Sequence, residues 1–382
     1  MQQHWVKFNS DNFFLEDIQK GYYPKSTSSC KRIALDFCRD WLNGKEKYTL
    51  HTSGSTGDAK AIEFTRNQLE ASAQLTASVL GLQKGFTSLV CLDTRYTAGM
   101  MMLVRSLVSG MNMIIVEPAS NPLEKISESD SIDFTAMVPL QVETILKSPQ
   151  KEILNDIKII LIGGAMVNPK TIREFESLHP SFYATYGMTE TLSHIALQRL
   201  NGKDALDFFQ PLPGIALSKD ERDCLTILAP HISNKVIITN DLVEFVSPTQ
   251  FRWLGRADNV INTGGVKVIP EKIESLISSV LEELNISKRL FVAARPDAVL
   301  GQSVNLFFEG EPFSPQVEEL LQMKMNGSLD KFERPRFIHF IKKFVDTETG
   351  KINKVKTTGS ISQTQLSCPC LFFLSPYQQT FL

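Results

Sequence analysis

The chain has 382 residues, with 40 Lys and Arg against 42 Asp and Glu for a formal net charge of −2, and 42% of it is hydrophobic. At roughly 150 residues per domain this is enough for two or three domains with a sizeable core, which excludes a disordered or collagen-like chain. The balanced charge gives no global drive toward nucleic acid or an anionic membrane, so any phosphate binding has to be local.

The start, Met1-Gln-Gln-His-Trp5, lacks the basic residues and apolar run of a secretory signal, and export is not expected. Cys30, Cys38, Cys91, Cys224, Cys368 and Cys370 show neither the pairs of a zinc site nor the density of a disulfide scaffold, which fits a reducing cytoplasm. Between residues 88 and 165, strand-like runs at Leu89–Leu92, Met113–Val116, Phe134–Val138 and Ile159–Ile162 alternate with helical patterns at 99–109 and 139–147. This rhythm predicts a mostly parallel sheet layered with helices, with ligands at the strand C-termini. The apolar window Ala98–Val116 is broken by Arg105, Ser106, Ser109, Gly110 and Asn112, so it reads as helix, turn and strand, not as a membrane span.

From 224 to 254 short β-rich runs predict an antiparallel subdomain: Leu225–Leu228, Val236–Thr239, Leu242–Val246 and Phe251–Leu254. After Gly255-Arg-Ala-Asp258 the pattern changes to a helix at 271–284, strands at 290–294 and 303–309, a helix at 315–325 and a strand at 336–341. The fold class expected is α/β: a large N-terminal domain, 1–257, of mostly parallel sheets and helices plus a small β-rich subdomain, then a small mobile α+β domain, 258–382. A loose tail is expected from about 359.

Two clusters carry chemistry. Residues 50–60, Leu-His-Thr-Ser-Gly-Ser-Thr-Gly-Asp-Ala-Lys, have the composition of a phosphate cradle: glycines let the backbone approach, successive N–H groups form an anion nest, hydroxyls donate, and Lys60 adds a point charge. Gly57 and Lys60 are separated by two residues, so this is not a Walker A loop, and the same residues also suit a plain flexible loop. In the second cluster, Gly163-Gly164-Ala165 closes an apolar strand and Tyr186-Gly-Met-Thr-Glu-Thr191 follows. Backbone and an aromatic face could hold a planar ring, Thr189 a phosphate oxygen, and Glu190 a Mg²⁺ ion. A core tyrosine and a solvated carboxylate are the plain alternatives.

Five segments in order make the sequence resemble the acyl-adenylate-forming enzymes, the family of acyl-CoA synthetases and luciferases. They are Thr52–Lys60, Tyr186–Glu190, Thr239-Asn-Asp241, Gly255–Asp258 with Thr263–Glu274, and Thr349-Gly-Lys-Ile-Asn-Lys354. The resemblance covers about residues 48–356. It departs from the family pattern at Ala59 and Ala61 (usually Pro and Gly), Asn240 (commonly Gly) and Lys354 (usually Arg), and its phosphate loop lies unusually early, as in a form shortened at its start. Three further segments, Arg95–Arg105, Tyr186–Ala196 and Trp253–Gly265, narrow the resemblance to ligases of an acid that carries a second carboxylate.

The resemblance implies ATP and CoA as co-substrates, Mg²⁺ as cofactor, and a carboxylic acid activated as acyl-AMP before transfer to CoA. Lys351, Glu190 and Lys60 would be catalytic, with Glu190 the Mg²⁺ ligand. Thr52, Ser53, Gly54, Ser55, Thr56, Gly57, Lys60, Gly163, Gly164, Ala165, Tyr186, Gly187, Thr189, Asp241 and Arg256 would bind ATP and AMP. Tyr96, Thr97, Gly99, Thr191, Ser193 and His194 would form the acyl pocket, with Arg95, His194 or Arg199 meeting the second carboxylate. Asp258 would be a hinge, and Gly264 and Gly265 would leave room for the arm of CoA. A homodimer is compatible with the family; nucleic acid and a membrane span are not expected partners. A nucleotide-binding module without catalysis is the alternative from another class.

Overall fold

The computed structural model describes residues 4–8, 11–23, 28–51, 61–127, 129–346 and 352–359. They divide into two compact units: 1–220 with 226–239 and 245–252, and 221–225 with 240–244 and 253–382. A nine-stranded sheet organises the first unit, in the order Gln210–Pro211, His194–Arg199, Ser181–Gly187, Ile159–Ile162, Phe134–Met137, Thr87–Val90, Asn112–Ile115, Trp5–Phe8, Asp11–Phe14. From Ser181–Gly187 to Trp5–Phe8 every pairing is parallel; one antiparallel pairing closes the Asp11–Phe14 end, and two in succession close the Gln210–Pro211 end.

Parallel neighbours need crossovers, and the helix Thr97–Ser109 supplies one between Thr87–Val90 and Asn112–Ile115. It ends where Gly110 takes a left-handed φ of 65°, a conformation that a side chain would resist. The preceding helix, Arg66–Leu80, starts on a capping box: the Thr65 hydroxyl accepts from the Gln68 N–H while the Gln68 side chain accepts from the Thr65 N–H at 2.7 Å. Because the inner strands are covered on both faces they read as apolar runs, and Leu89, Ile114, Met137, Ile160, Ile162 and Phe182 join one core. Phe175 stacks flat on Phe182 there, with ring centres 3.8 Å apart.

A four-stranded sheet follows the order Ala216–Lys219, Cys224–Ala229, Ser233–Phe245, Phe251–Arg256. The runs expected separately at 236–239 and 242–246 are one 13-residue strand, Ser233–Phe245. Asn240-Asp241, which has turn chemistry, stays inside the ladder.

In the second unit Pro270–Glu283 and Pro315–Ser328 pack on a sheet ordered Val266–Val268, Ile261–Thr263, Gly301–Glu309, Leu290–Asp297, with Phe337–Ile341 also pairing with Gly301–Glu309. Proline at the first turn of both helices removes an N–H that would have no partner in any case. The other sheet face carries Phe291, Phe307 and Phe344, with Ile352 packed against them. The Lys354 ammonium donates to Glu274 Oε1 at 2.7 Å, which ties Lys354–Gly359 to the helix Pro270–Glu283. The tail expected from 359 lies, beyond Gly359, outside the described residues. No described helix is long and apolar enough to cross a membrane.

Candidate active site

Strands Thr87–Val90, Phe134–Met137, Ile159–Ile162 and Ser181–Gly187 run in one direction, so their C-terminal ends lie along one edge of the sheet. That edge is where open α/β sheets present loops to a ligand. Gly163, Gly164 and Ala165 leave Ile162 there. A Cβ on Gly163 would stand 2.5 Å from Thr185 Oγ1, and Gly164 has a φ of 87°, so this turn needs both glycines. Gly164 and Ala165 are exposed, as backbone meant for a ligand has to be.

Tyr186 ends the neighbouring strand, but its ring is one wall of an aromatic trio and not an open face. It is 9% exposed, set edge-on to Phe251 at 5.1 Å and tilted against Phe209 at 5.8 Å. Gly187 is required by packing: a Cβ would lie 2.3 Å from the Ser193 carbonyl oxygen. Thr189 and Glu190 follow in a short 3₁₀ turn, Thr189–Thr191. Glu190 is exposed, and no hydrogen bond or ion pair engages its carboxylate among the described residues. No group of three His, Cys, Asp or Glu gathers among the described residues. A single free carboxylate suits Mg²⁺, which is commonly held by one or two carboxylates and the phosphates of a nucleotide.

The chain then turns in a way the sequence did not signal. Leu192 has φ 62° and ψ −38°, and the Ser193 N–H donates to the Thr191 carbonyl at 2.6 Å. This is a γ-turn of the rarer, strained hand, centred on a leucine that is wholly buried. Thr191, also fully buried, holds the turn: its hydroxyl accepts from the Met188 N–H at 2.9 Å and donates to the Ser193 carbonyl at 2.7 Å. Expected to line the acyl pocket, Thr191 instead sits inside the turn.

The turn aims Ser193 and His194 at Arg105. One guanidinium nitrogen, Nη2, donates to Ser193 Oγ at 2.5 Å and reaches His194 Nδ1 at 3.3 Å. On the far side of the ring, Thr76 Oγ1 lies 3.0 Å from His194 Nε2. Arg105 is 2% exposed, no carboxylate faces it among the described residues, and its Nε has no partner there. Burial alone pushes the guanidinium down to about 10, which leaves it charged at neutral pH. His194 is held well below its ordinary value, first by burial and then by Arg105.

An arginine is seldom fully buried unless paired with an anion. In the sequence Arg105 stands out only as a lone cation that interrupts the apolar helix Thr97–Ser109, and that is the signal the sequence offers for it. The cations expected to meet a second carboxylate are engaged elsewhere: Arg95 with Asp93 at 2.5 Å, and Arg199 with the Asn201 carbonyl at 2.9 Å and the Tyr183 ring. Only His194 among those candidates touches the buried cation. Tyr96 caps the same helix and is 45% exposed, Thr97 follows it, and Gly99 lets the helix start close to Asp93, whose carbonyl oxygen a Cβ would meet at 2.3 Å.

In the second unit Asp241 is 7% exposed, and Arg256 Nη1 lies 3.6 Å from its Oδ1. Arg256 Nη2 donates to Asp258 at 2.8 Å. Gly264 and Gly265, with φ of 58° and 84°, form the two-residue turn between Ile261–Thr263 and Val266–Val268, where both central positions need the left-handed conformation. Thr52, Ser53, Gly54, Ser55, Thr56, Gly57, Lys60 and Lys351 lie outside the described residues. The strands flanking the first seven, Lys47–His51 and Ala61–Thr65, pair antiparallel with His51 opposite Ala61.

The fold is an open α/β sheet with a ligand-facing edge at its strand C-termini, in a chain of two compact units, and comparison with known proteins gives the family. The model of the AMP-binding enzyme family matches residues 45–218. An acyl-CoA synthetase (AMP-forming)/AMP-acid ligase II-like protein from Dyadobacter fermentans is 39% identical over 90% of this chain and 97% of that one, with a TM-score of 0.59. The 2-succinylbenzoate–CoA ligase of Lactococcus lactis is 25% identical over 84% of this chain and 72% of its own length. The fold is also that of o-succinylbenzoate coenzyme A synthetase from Bacillus subtilis in complex with ATP and magnesium, at a TM-score of 0.68 and 19% identity over 81% of this chain and 69% of that one. The chain belongs to the AMP-forming acyl-CoA synthetases.

Proposed function

We propose that the chain is an o-succinylbenzoate–CoA ligase serving menaquinone biosynthesis in the cytoplasm, with an ATP-dependent ligase of another aromatic or fatty acid as the alternative. The observation that carries the substrate is Arg105, a buried cation whose partners at the sheet edge, Ser193 and His194, are both neutral. o-Succinylbenzoate has one carboxylate to activate and a second that needs a cation once water is removed. Two of the three segments that resemble such ligases contain these residues: Arg105 ends Arg95–Arg105, and Ser193 and His194 lie in Tyr186–Ala196.

In the first step a carboxylate oxygen attacks the α-phosphorus of ATP and pyrophosphate leaves, giving acyl-AMP. In the second, the CoA sulfur attacks the acyl carbon, its proton is lost, AMP leaves and a thioester remains. Both steps depend on positioning and charge neutralisation. In this reading Thr52, Ser53, Ser55, Thr56 and Lys60 hold the β- and γ-phosphates, and Gly163–Ala165 lie against the adenine, with Tyr186 in the wall behind it. Asp241 accepts from the ribose hydroxyls, beside Arg256. Mg²⁺, held by Glu190, would neutralise phosphate charge. Lys351 bridges the attacking carboxylate and the α-phosphate. The smaller domain turns about Asp258 between the steps, bringing Gly264 and Gly265 to the CoA arm.

The test is thioester formation, read by mass spectrometry from MgATP, CoA and a panel of o-succinylbenzoate, benzoate and a medium-chain fatty acid. Dominant o-succinylbenzoyl-CoA supports the reading; another dominant thioester keeps the reaction and removes the substrate. No acyl-AMP or thioester from any acid favours a nucleotide-binding module. Lys351→Ala should abolish adenylation and largely spare thioester formation from supplied acyl-AMP; equal loss in both steps would remove its role.

A further inference from the structure

We propose that Asn240 is a positioning residue that latches the hinge at Asp258. The inference rests on the two-step reaction proposed above, but the contact itself does not. Asn240 Oδ1 accepts from Arg222 Nη1 at 2.9 Å, and Asn240 Nδ2 donates to Asp258 Oδ2 at 3.2 Å. The amide is therefore a two-ended bridge, one end anchored on a guanidinium and the other on the carboxylate of the residue that has to change its backbone angles. Asn240 lies in the middle of the strand Ser233–Phe245, whose ladder fixes its Cα, whereas Asp258 lies in the single 3₁₀ turn Ala257–Asn259 with one turn bond, from the Val260 N–H to the Ala257 carbonyl at 3.3 Å. A rigid element thus grips a weak one.

Arg256 joins the same carboxylate oxygen, with Nη2 at 2.8 Å, and extends its Nη1 toward Asp241. Arg256 is only two residues from Asp258 and can follow it through a rotation. Asn240 is 18 residues away on a separate strand and cannot follow. A large change of φ at Asp258 carries its Cβ and carboxylate away from the strand and therefore breaks the Asn240 bond, whereas a change of ψ alone moves only the chain beyond it. The latch also couples hinge and nucleotide chemically, because Asp241, the proposed ribose acceptor, is the next residue after the bridge. A hydrogen bond to a charged group at a partly exposed site slows release by a factor of about two to ten.

The variants are Asn240→Val, which keeps a strand-forming side chain and removes both ends of the bridge, and Asn240→Gln, which keeps the amide. Thermal melting establishes that both fold. Hydrogen exchange of the full chain, read at the Val260 amide without substrates, should speed up two- to tenfold in Asn240→Val and return toward the parent rate in Asn240→Gln. Amides of Ser233–Phe245 should not change to match. In single-turnover assays, thioester formation from supplied acyl-AMP and CoA should rise by a similar factor relative to adenylation. Unchanged Val260 exchange in a folded Asn240→Val overturns the latch, whatever the reaction is. Faster exchange with both half-reactions altered equally overturns its role in the hinge. Failure of the parent chain to form acyl-AMP from any acid removes the functional reading instead, and is distinguished by the exchange result.

Discussion

Arg105 Nη2 lies 3.3 Å from His194 Nδ1, a contact that only a neutral ring with its proton on Nε2 can accept. The neighbouring atoms support that tautomer. Thr76 Oγ1 lies 3.2 Å from the Ser72 carbonyl, to which it can only donate, so it receives the His194 Nε2–H at 3.0 Å. The chain Ser72, Thr76, His194, Arg105 thus runs in one sense and leaves the positive charge at its end.

If that charge meets a second carboxylate, Arg105→Met should lower kcat/KM for o-succinylbenzoate by about 10- to 150-fold, the value of a charge-assisted hydrogen bond. Activation of benzoate should change little, since methionine fills the same apolar helix. Steady-state kinetics on both acids checks this, and an equal loss on both would make Arg105 structural.

His339 gives the second unit a pH dependence. Burial, and then Arg295, push its imidazole down to about 4 from an ordinary 6.5. Below pH 6.5 the unfolded chain takes up a proton that the folded chain refuses. The stabilisation is therefore complete above 6.5 and is lost as pH falls toward 4, by up to about 3 kcal/mol. Denaturant melts of the parent and His339→Gln across that interval should show a shallower slope in the variant; parallel slopes would remove His339 as the cause.

Glycines separate by what surrounds them. Gly187→Ala would press a methyl onto the Ser193 carbonyl at 2.3 Å and the His194 Cα at 2.5 Å, both backbone, so the turn must move or the chain unfold. Gly327, inside the helix Pro315–Ser328, has nothing within 4 Å, and Gly327→Ala should stabilise by about 0.5–1 kcal/mol. Thermal melts of the two variants should shift in opposite directions.

Gly255→Ala sets a Cβ 2.4 Å from Glu271 Oε2 and 2.7 Å from Ile269 Cγ2. Because Glu271 also accepts from Asn259 Nδ2 at 2.6 Å, the crowding is passed to the turn that holds Asp258. The double variant with Glu271→Ala should recover part of the lost stability. Simple additivity in a double-mutant cycle would show that the two positions do not meet.

What could be read from the sequence depended on whether a feature is local. The strand Ile159–Ile162, the proline start of Pro270–Glu283 and the paired-glycine turn at 264–265 are dictated by neighbouring residues, and the structure has them. The continuous strand Ser233–Phe245 was hidden because Asn-Asp favours turns when alone, while ladder pairing on both sides keeps it extended. Arg105 was hidden for the opposite reason: its partners Ser193 and His194 are 88 and 89 residues away. The γ-turn at Leu192 had no sequence signal, since a leucine there is held against its own preference by buried surroundings.

The parallel pairing of Trp5–Phe8 with Asn112–Ile115 has a bearing on how the chain is made. Its partners are 107 residues apart. At ribosomal speeds of about 5–20 residues per second, the first strand emerges on the order of 5–20 s before the edge that receives it. Val6 and Phe8, both buried at the end, spend that time without their cover. An element made 107 residues before its partner is therefore seated late in assembly, and nascent chains cut short of residue 112 would present it to chaperones.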